Sequence, residues 1–69
     1  MDLTWVDGFT IRTSAENGAI LISANKEGLL SLANHMKALA EEESRSHIHL
    51  DEWNALEEGS AELIIERIE

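Results

Sequence analysis

Apolar and polar residues alternate on both sides of Asn17-Gly18, and this pattern predicts a β-hairpin. Asn and Gly tolerate the positive φ angles of a type I′ turn, which suits a two-residue hairpin loop. One predicted face carries mostly apolar residues that oppose one another across the strands: Ile11 with Ala24, Thr13 with Ile22, and Ala15 with Ile20. Because opposed residues of an antiparallel pair share a face, a slip by one residue would mix the two faces. The pattern therefore predicts the register, with Glu16 opposite Ala19.

A helix is predicted after the hairpin, from Asn25 as its N-cap to an end near Glu42 or Glu43. Glu27 lies in the first turn, where the helix dipole favours an acid. Apolar residues recur at spacings of three and four and form one predicted stripe: Leu29, Leu32, Ala33, Met36, Leu39 and Ala40. This stripe is expected to cover one face of a sheet.

Two residues of this helix depart from its pattern. Gly28 costs about 1 kcal/mol relative to Ala in a helix, and close packing onto the sheet is the one reason that the sequence offers for it. His35 lies one step off the apolar stripe. We therefore predict that His35 is a boundary residue with a partly packed ring.

Two more strands are predicted in the second half of the chain. The segment Ser46 to Asp51 alternates, which is typical of a half-buried strand: Ile48 and Leu50 lie on one side, and His47, His49 and Asp51 on the other. The segment Glu62 to Ile68 is apolar on both sides, which is typical of a central strand or one covered on both faces. The connection 52–61 contains Trp53, Leu56 and the turn residues Gly59-Ser60.

The element order β-β-α-β-β predicts an α+β fold for residues 1–69. We expect a single small domain with a mainly antiparallel four-stranded sheet and one helix on one face, because one helix covers only one face of a sheet. Leu21, Ile64 and Ile68 then lie on the open face. Two alternatives for that face stay open: the segments that carry Trp5 and Trp53 fold over it, or a second protein covers it.

Charge is distributed unevenly along the chain. Residues 1–40 contain four acidic and three basic residues, a net charge of −1, whereas residues 41–69 contain ten acidic and two basic residues, a net charge of −8. Such a surface repels nucleic acid and anionic membranes and attracts basic protein surfaces or metal ions. No signal-peptide pattern or apolar run of membrane length occurs in these residues, so we expect a soluble, cytoplasmic protein.

The candidate chemistry is sparse. The sequence has no Gly-flanked nucleophile elbow, no phosphate-binding Gly-rich loop and no Cys, so we predict neither an enzyme nor a bound cofactor. His47 and His49 lie on one side of a strand with Asp51 in the same row, and these residue types can bind zinc. Spacing alone is weak evidence, and a polar solvent-facing strand is the interpretation adopted, with a metal site at His47 and His49 as an alternative.

The acidic residues around Trp53 are the predicted partner-binding surface. This surface comprises Glu52, Trp53, Glu57 and Glu58, with Glu41, Glu42 and Glu43 beside it. The alternatives are a solvated, fraying helix end for the three consecutive Glu residues and a lid over a small core for Trp53.

Three segments carry a resemblance to a known family: Asn25-Lys26-Glu27-Gly28-Leu29-Leu30 at the helix start, His47-Ile48-His49-Leu50-Asp51, and Leu56-Glu57-Glu58-Gly59-Ser60-Ala61-Glu62-Leu63-Ile64-Ile65. Over roughly residues 17 to 68 the chain resembles the predicted immunity proteins of bacterial polymorphic toxin systems, specifically immunity protein family thirty-two. The resemblance implies an α+β antitoxin that binds a co-encoded toxin in the cytoplasm and blocks it. It transfers no specific toxin-contacting residue.

The predicted function is therefore that of a non-enzymatic immunity-type protein. It would bind a cognate toxin, or another basic protein, through the acidic surface, because complementary charge speeds encounter and excludes wrong partners. The alternative is a small structural or regulatory module that forms a homodimer through the open sheet face.

Overall fold

The computed structural model describes residues 1–69 and contains one helix and four strands in the predicted order. The elements are β1 (Ile11–Glu16), β2 (Ala19–Ala24), α1 (Lys26–Ala40), β3 (Ser46–Leu50) and β4 (Leu63–Arg67). The α+β class is confirmed. The sheet arrangement differs from the prediction, because the strands form two antiparallel two-stranded sheets, β1–β2 and β3–β4. No helix is both long and apolar enough to cross a membrane.

The predicted hairpin register is confirmed. Glu16 is opposite Ala19 and Ile11 is opposite Ala24, with the intervening residues paired as the alternation requires. Asn17 and Gly18 have φ angles of 50° and 79°, and positive values at both central residues are what a type I′ turn demands. The local turn chemistry therefore determines how β1 and β2 align.

An irregular segment joins the two sheets by pairing with the second edge of β1. The backbone N–H of Glu57 donates to the carbonyl of Ile11 at 2.9 Å, and that of Ala61 donates to the carbonyl of Thr13 at 3.1 Å. The Thr13 N–H donates to Ser60 Oγ at 3.2 Å, and the Thr13 hydroxyl donates to the Ala61 carbonyl. Because residues 57–61 occupy the edge where a third strand would lie, β1 and β4 do not pair and no four-stranded sheet forms.

The hydrophobic core draws on both sheets, the helix and the loop after β3. Its buried side chains form one cluster: Ile11, Leu32, Leu39, Ile48, Leu50 and Leu56. The predicted inward side of β3 is confirmed, since Ile48 and Leu50 are buried while His47 and His49 are exposed. From β4, Leu63 and Ile65 are partly buried against the cluster.

The buried face of α1 differs from the predicted stripe. Asn25 caps the helix as predicted, because its side chain accepts a hydrogen bond from the Gly28 N–H at 2.7 Å. The buried residues, however, are Gly28, Ser31, Leu32, His35 and Leu39, whereas Leu29, Ala33, Met36 and Ala40 are exposed. The reason is non-local: the N-terminal segment packs on the helix, and the Val6 N–H donates to Ser31 Oγ at 2.8 Å.

His35 lies beneath this N-terminal segment and is fully buried, so its prediction as a boundary residue is wrong. Its exposed fraction is 0%. The Trp5 ring meets the imidazole edge-on with centroids 4.1 Å apart, and Trp5 itself stacks on Phe9 at 4.6 Å. Neither ring nitrogen of His35 has a hydrogen-bond partner. Burial lowers the pKa of His35, because desolvation disfavours the charged form.

β4 pairs only with β3 and its outward face is open, so the expectation of a central strand, or of one covered on both faces, is wrong, whereas the placement of Ile64 and Ile68 on an open face is confirmed. Ile64 is opposite His49 in the strand register and lies on the side away from the core. Both Ile64 and Ile68 are exposed. Trp5 packs against Phe9 and His35, and Trp53 is 93% exposed. Local cover by the two Trp-bearing segments, one of the two sequence alternatives, therefore does not occur.

Gly28 lies where the helix start meets the hairpin. A Cβ atom at this position would lie 2.5 Å from the Thr10 carbonyl oxygen and 3.0 Å from both Ala24 Cβ and Ile11 Cγ1. The closest of these atoms belongs to the backbone, so it cannot move aside as a flexible side chain would. Close packing onto the sheet, which the sequence offered as the reason for this glycine, is confirmed.

We predict that Gly28→Ala destabilises the protein by about 1–3 kcal/mol, although Ala is the better helix former by about 1 kcal/mol. Urea unfolding followed by circular dichroism measures the difference. Ala33→Gly at an exposed position of α1 is the matched control, and it should cost about 1 kcal/mol through helix propensity alone. A Gly28→Ala protein that is more stable than the wild type would contradict the packing argument.

We predict that the His35 ring makes stability fall with acid. Its pKa is lowered in the folded state, so between that value and the unfolded value of about 6.5 the unfolded chain binds more protons. As far as His35 determines it, the free energy of unfolding is therefore highest above pH ~6.5, where the His35 ring is neutral in both states. It decreases as the pH falls toward the folded-state pKa of His35.

His35→Leu should flatten this fall, measured as the free energy of unfolding from about pH 7.5 to 5.5. At neutral pH the variant should be at least as stable as the wild type, since an unpaired buried polar group costs about 1–3 kcal/mol. His47→Leu, at an exposed position of β3, should keep the wild-type slope. An unchanged slope in His35→Leu would disprove this assignment.

Candidate partner-binding site

A compact turn follows β3 and presents Trp53. Asp51 organises it: one carboxylate oxygen accepts hydrogen bonds from the backbone N–H groups of Trp53 at 2.9 Å and Asn54 at 3.2 Å. Its carbonyl accepts from the N–H groups of Ala55 at 3.1 Å and Leu56 at 2.9 Å. The Asn54 side chain accepts in return from the Asp51 N–H at 2.9 Å. These bonds give the turn a defined backbone around Trp53.

The far end of the same loop is tied to the core and to the turn. Leu56 is buried in the core cluster, and the next residue, Glu57, donates its N–H to β1. A carboxylate oxygen of Glu52 accepts a hydrogen bond from the Gly59 N–H at 2.9 Å. Gly59 has a φ of 87°, a conformation that favours glycine. Residues 51–61 therefore form a loop whose two halves are hydrogen-bonded together and anchored on β1.

Three of the predicted binding residues meet on this loop. A depression of about 230 Å³ is lined by Glu52, Trp53 and Glu58. Glu57 is exposed next to Glu58 in the chain. Trp53 does not act as a lid over the core, the alternative considered from sequence, because 93% of its surface is exposed. We call the group of Glu52, Trp53, Glu57 and Glu58 the Trp53 site.

The electrostatics of the Trp53 site favour a cation. None of its three carboxylates takes part in a salt bridge within the protein. The face of an indole attracts a guanidinium or ammonium group through its quadrupole, and neighbouring carboxylates add charge-assisted hydrogen bonds. The depression can therefore accept an Arg or Lys side chain of another molecule, with the aliphatic part of that side chain against the Trp53 ring.

The structure does not bring Glu41, Glu42 and Glu43 to the Trp53 site. Arg67, at the end of β4, donates hydrogen bonds to the carbonyls of Ala40 and Glu42. Arg67 is opposite Ser46 at the start of β3, whereas the loop with Trp53 follows the end of β3. The two acidic groups thus lie at opposite ends of the β3–β4 sheet, about 15 Å apart along a five-residue strand.

The histidines of β3 lie on its exposed side and differ in their surroundings. His49 Nε2 is 2.9 Å from Glu62 Oε2 and 4.0 Å from Asp51 Oδ2. His47 is opposite Glu66 in the register of β3 and β4. No group of three or more His, Asp or Glu side chains is arranged to hold a metal ion. Both histidines are exposed, as the alternation along β3 indicates for this side of the strand.

Sequence reasoning missed the residues that shape the loop. Asp51, predicted as the last residue of the strand, instead follows β3 and accepts the hydrogen bonds of the turn. Asp followed by Asn three residues later is a turn-forming pattern, since both side chains bond readily to nearby backbone, and this signal could have found it. The bond from Gly59 to Glu52 joins residues seven apart, and no local pattern indicates it.

Comparison with known proteins identifies a matching family. A family model described as immunity protein 32 matches residues 19–68, more than two thirds of the 69-residue chain. No curated protein matches the chain, and no solved structure matches it. The matched region extends from the first residue of β2 past the end of β4 and includes every residue of the Trp53 site.

Proposed function

Since the chain belongs to the immunity protein 32 family, we propose that it binds a cognate toxin in the cytoplasm and neutralises it without catalysis. We place the contact at the Trp53 site. The observation that carries this proposal is the Trp53 indole, 93% exposed and beside the carboxylates of Glu52 and Glu58. Trp is one of the residue types enriched at interface hot spots.

The loop is suited to binding because its backbone is already ordered. Hydrogen bonds around Asp51, from Gly59 to Glu52 and from Glu57 to Ile11 hold its two halves in place. Toxin binding then immobilises only a few side chains and does not have to order the whole loop. The entropic cost of binding is therefore lower. Trp itself has only two side-chain torsions and loses little freedom on binding.

The matching partner surface is basic. The chain has a net charge of −9, so a toxin with a positive surface is attracted over a long range and approaches faster. Within this proposal, Glu41, Glu42 and Glu43 contribute to that attraction from their own end of the β3–β4 sheet. The direct contact is made at the Trp53 site, where one Arg or Lys side chain of the toxin packs on the indole.

Neutralisation by this route requires no reacting group. Covering a catalytic or substrate-binding surface needs complementary shape and charge, which a small protein can provide from one loop and its surroundings. A non-enzymatic inhibitor of this kind therefore accounts for the task that the family name describes and for the chemistry of the Trp53 site.

A second candidate function is a homodimeric structural or regulatory module. The exposed apolar side chains Leu21, Ile64 and Ile68 favour it, because they could be buried against another copy. Co-expression with each candidate toxin encoded next to this gene separates the candidates. Rescue of growth supports the immunity function, and a failure to rescue contradicts it.

We predict that Trp53→Ala weakens toxin binding about thirtyfold or more, since removing an interface hot spot costs about 2 kcal/mol or more. Glu58→Lys should weaken it at least tenfold by reversing a charge in the depression. Isothermal titration calorimetry with a catalytically inactive toxin measures both. Glu58 is the better target than Glu52, whose carboxylate also holds the Gly59 N–H.

Glu43→Lys is the matched control, with the same charge change at the other end of the β3–β4 sheet. Its effect should stay below about threefold at physiological salt, where the Debye length is about 8 Å. Equal losses in Glu58→Lys and Glu43→Lys would contradict the placement of the contact at the Trp53 site. Wild-type affinity in Trp53→Ala would contradict it as well.

A further inference from the structure

Strand β2 has one edge that nothing in the protein pairs. β1 lies between β2 on one side and residues 57–61 on the other, so both edges of β1 are used. The outer edge of β2 receives no backbone hydrogen bond from any other element. Unpaired N–H and C=O groups in a row form a template for another strand.

The side chains of β2 do nothing to prevent such pairing. Exposed edge strands are usually protected by charged residues, proline or bulges. β2 reads Ala-Ile-Leu-Ile-Ser-Ala and is the only strand without an ionisable side chain. Ile20 and Leu21 are 76% and 58% exposed, and Ile22 is exposed as well. A strand that pairs here would bury apolar surface on both faces.

The charge distribution argues for a second copy of this chain as the occupant. Residues 8–25, which form the hairpin and its base, contain only Arg12 and Glu16 as charged residues and are neutral overall. The whole net charge of −9 therefore lies in residues 1–7 and 26–69. Two copies that meet through their hairpins bring their neutral parts together and keep their acidic parts apart.

We propose that two copies associate by antiparallel pairing of β2 with β2 about a two-fold axis at Leu21. Opposed residues of an antiparallel pair lie on the same face of the sheet. The two-fold axis must therefore lie beside a residue that is opposite the same residue of the second copy. With the axis at Leu21, Ile20 of each copy is opposite Ile22 of the other copy. With the axis at Ile22, Ile20 would face Ala24 and Leu21 would face Ser23, which buries less apolar surface.

The resulting dimer contains a four-stranded sheet in the order β1-β2-β2-β1. The segment 57–61 lies on the other edge of β1, away from the two-fold axis. Both Trp53 sites remain accessible, so the dimer would present two copies of the proposed toxin-binding surface. The proposal goes beyond the immunity function and does not rest on it, because a monomer could equally neutralise a toxin.

Light scattering coupled to size-exclusion chromatography tests the dimer. We expect twice the monomer mass for the wild type at about 100 μM and the monomer mass for Leu21→Lys. Ile64→Lys is the matched control, since Ile64 is 58% exposed, the same as Leu21, but lies on β4. It should leave the dimer intact. Circular dichroism confirms that both variants remain folded.

Cysteine cross-linking tests the register, because the native chain contains no Cys. Leu21→Cys should form a disulfide-linked dimer under mild oxidation, since self-paired residues lie about 5 Å apart across antiparallel strands. Ile20→Cys should not, because the two Ile20 positions are diagonal neighbours about 7–8 Å apart.

Three results would overturn the proposal. They are a wild-type monomer at every concentration, a dimer that survives Leu21→Lys, and a dimer that Ile64→Lys disrupts, alone or as well as Leu21→Lys, which would extend the interface to the outward face of β4. Failure of any of these tests leaves toxin rescue unaffected, so the two proposals are judged separately.

Discussion

The pairing of β1 with residues 57–61 is the contact on which the rest of the structure depends. A two-stranded sheet is marginal by itself in water, and this protein contains two of them. Thr13, which is 3% exposed, bonds through its N–H, carbonyl and hydroxyl groups to Ser60 and Ala61 and so ties the first sheet to the second. The same pairing anchors the loop that presents Trp53. It also leaves β2 as the free edge, so one constraint determines where both proposed interaction surfaces lie.

Local signals predicted the parts of the fold that depend on local chemistry. Asn17-Gly18 and the alternation around it were sufficient for the hairpin and its register, and Asn25 was recognisable as a helix cap. The buried face of α1 was not predictable in this way. Burial of His35 depends on the ring of Trp5, thirty positions earlier, and apolar spacing within the helix contains no information about that contact. The division into two sheets likewise depends on bonds between distant segments.

The composition of the candidate site was visible in the sequence, but its extent was not. Trp53 among acidic residues is a local feature, and the structure places Glu52 and Glu58 around it. Glu41–Glu43 belong to the same acidic half of the chain, yet Arg67 holds the end of α1 at the opposite end of the β3–β4 sheet. Net charge indicates which class of partner a protein attracts. The direction of the strands determines which of its charged residues lie close enough to contact the same partner surface.

Hydrogen exchange of the Glu57 and Ala61 amides, measured by NMR, tests this account most directly. Both amides donate to β1, so they should open with the core and exchange within about tenfold of the slowest amides of α1. That result would show that the Trp53 loop is part of the cooperative structure and is preorganised for binding. Exchange at the rate of an unstructured peptide, while the α1 amides stay protected, would contradict it, because the loop would then be detached from β1 in the free protein.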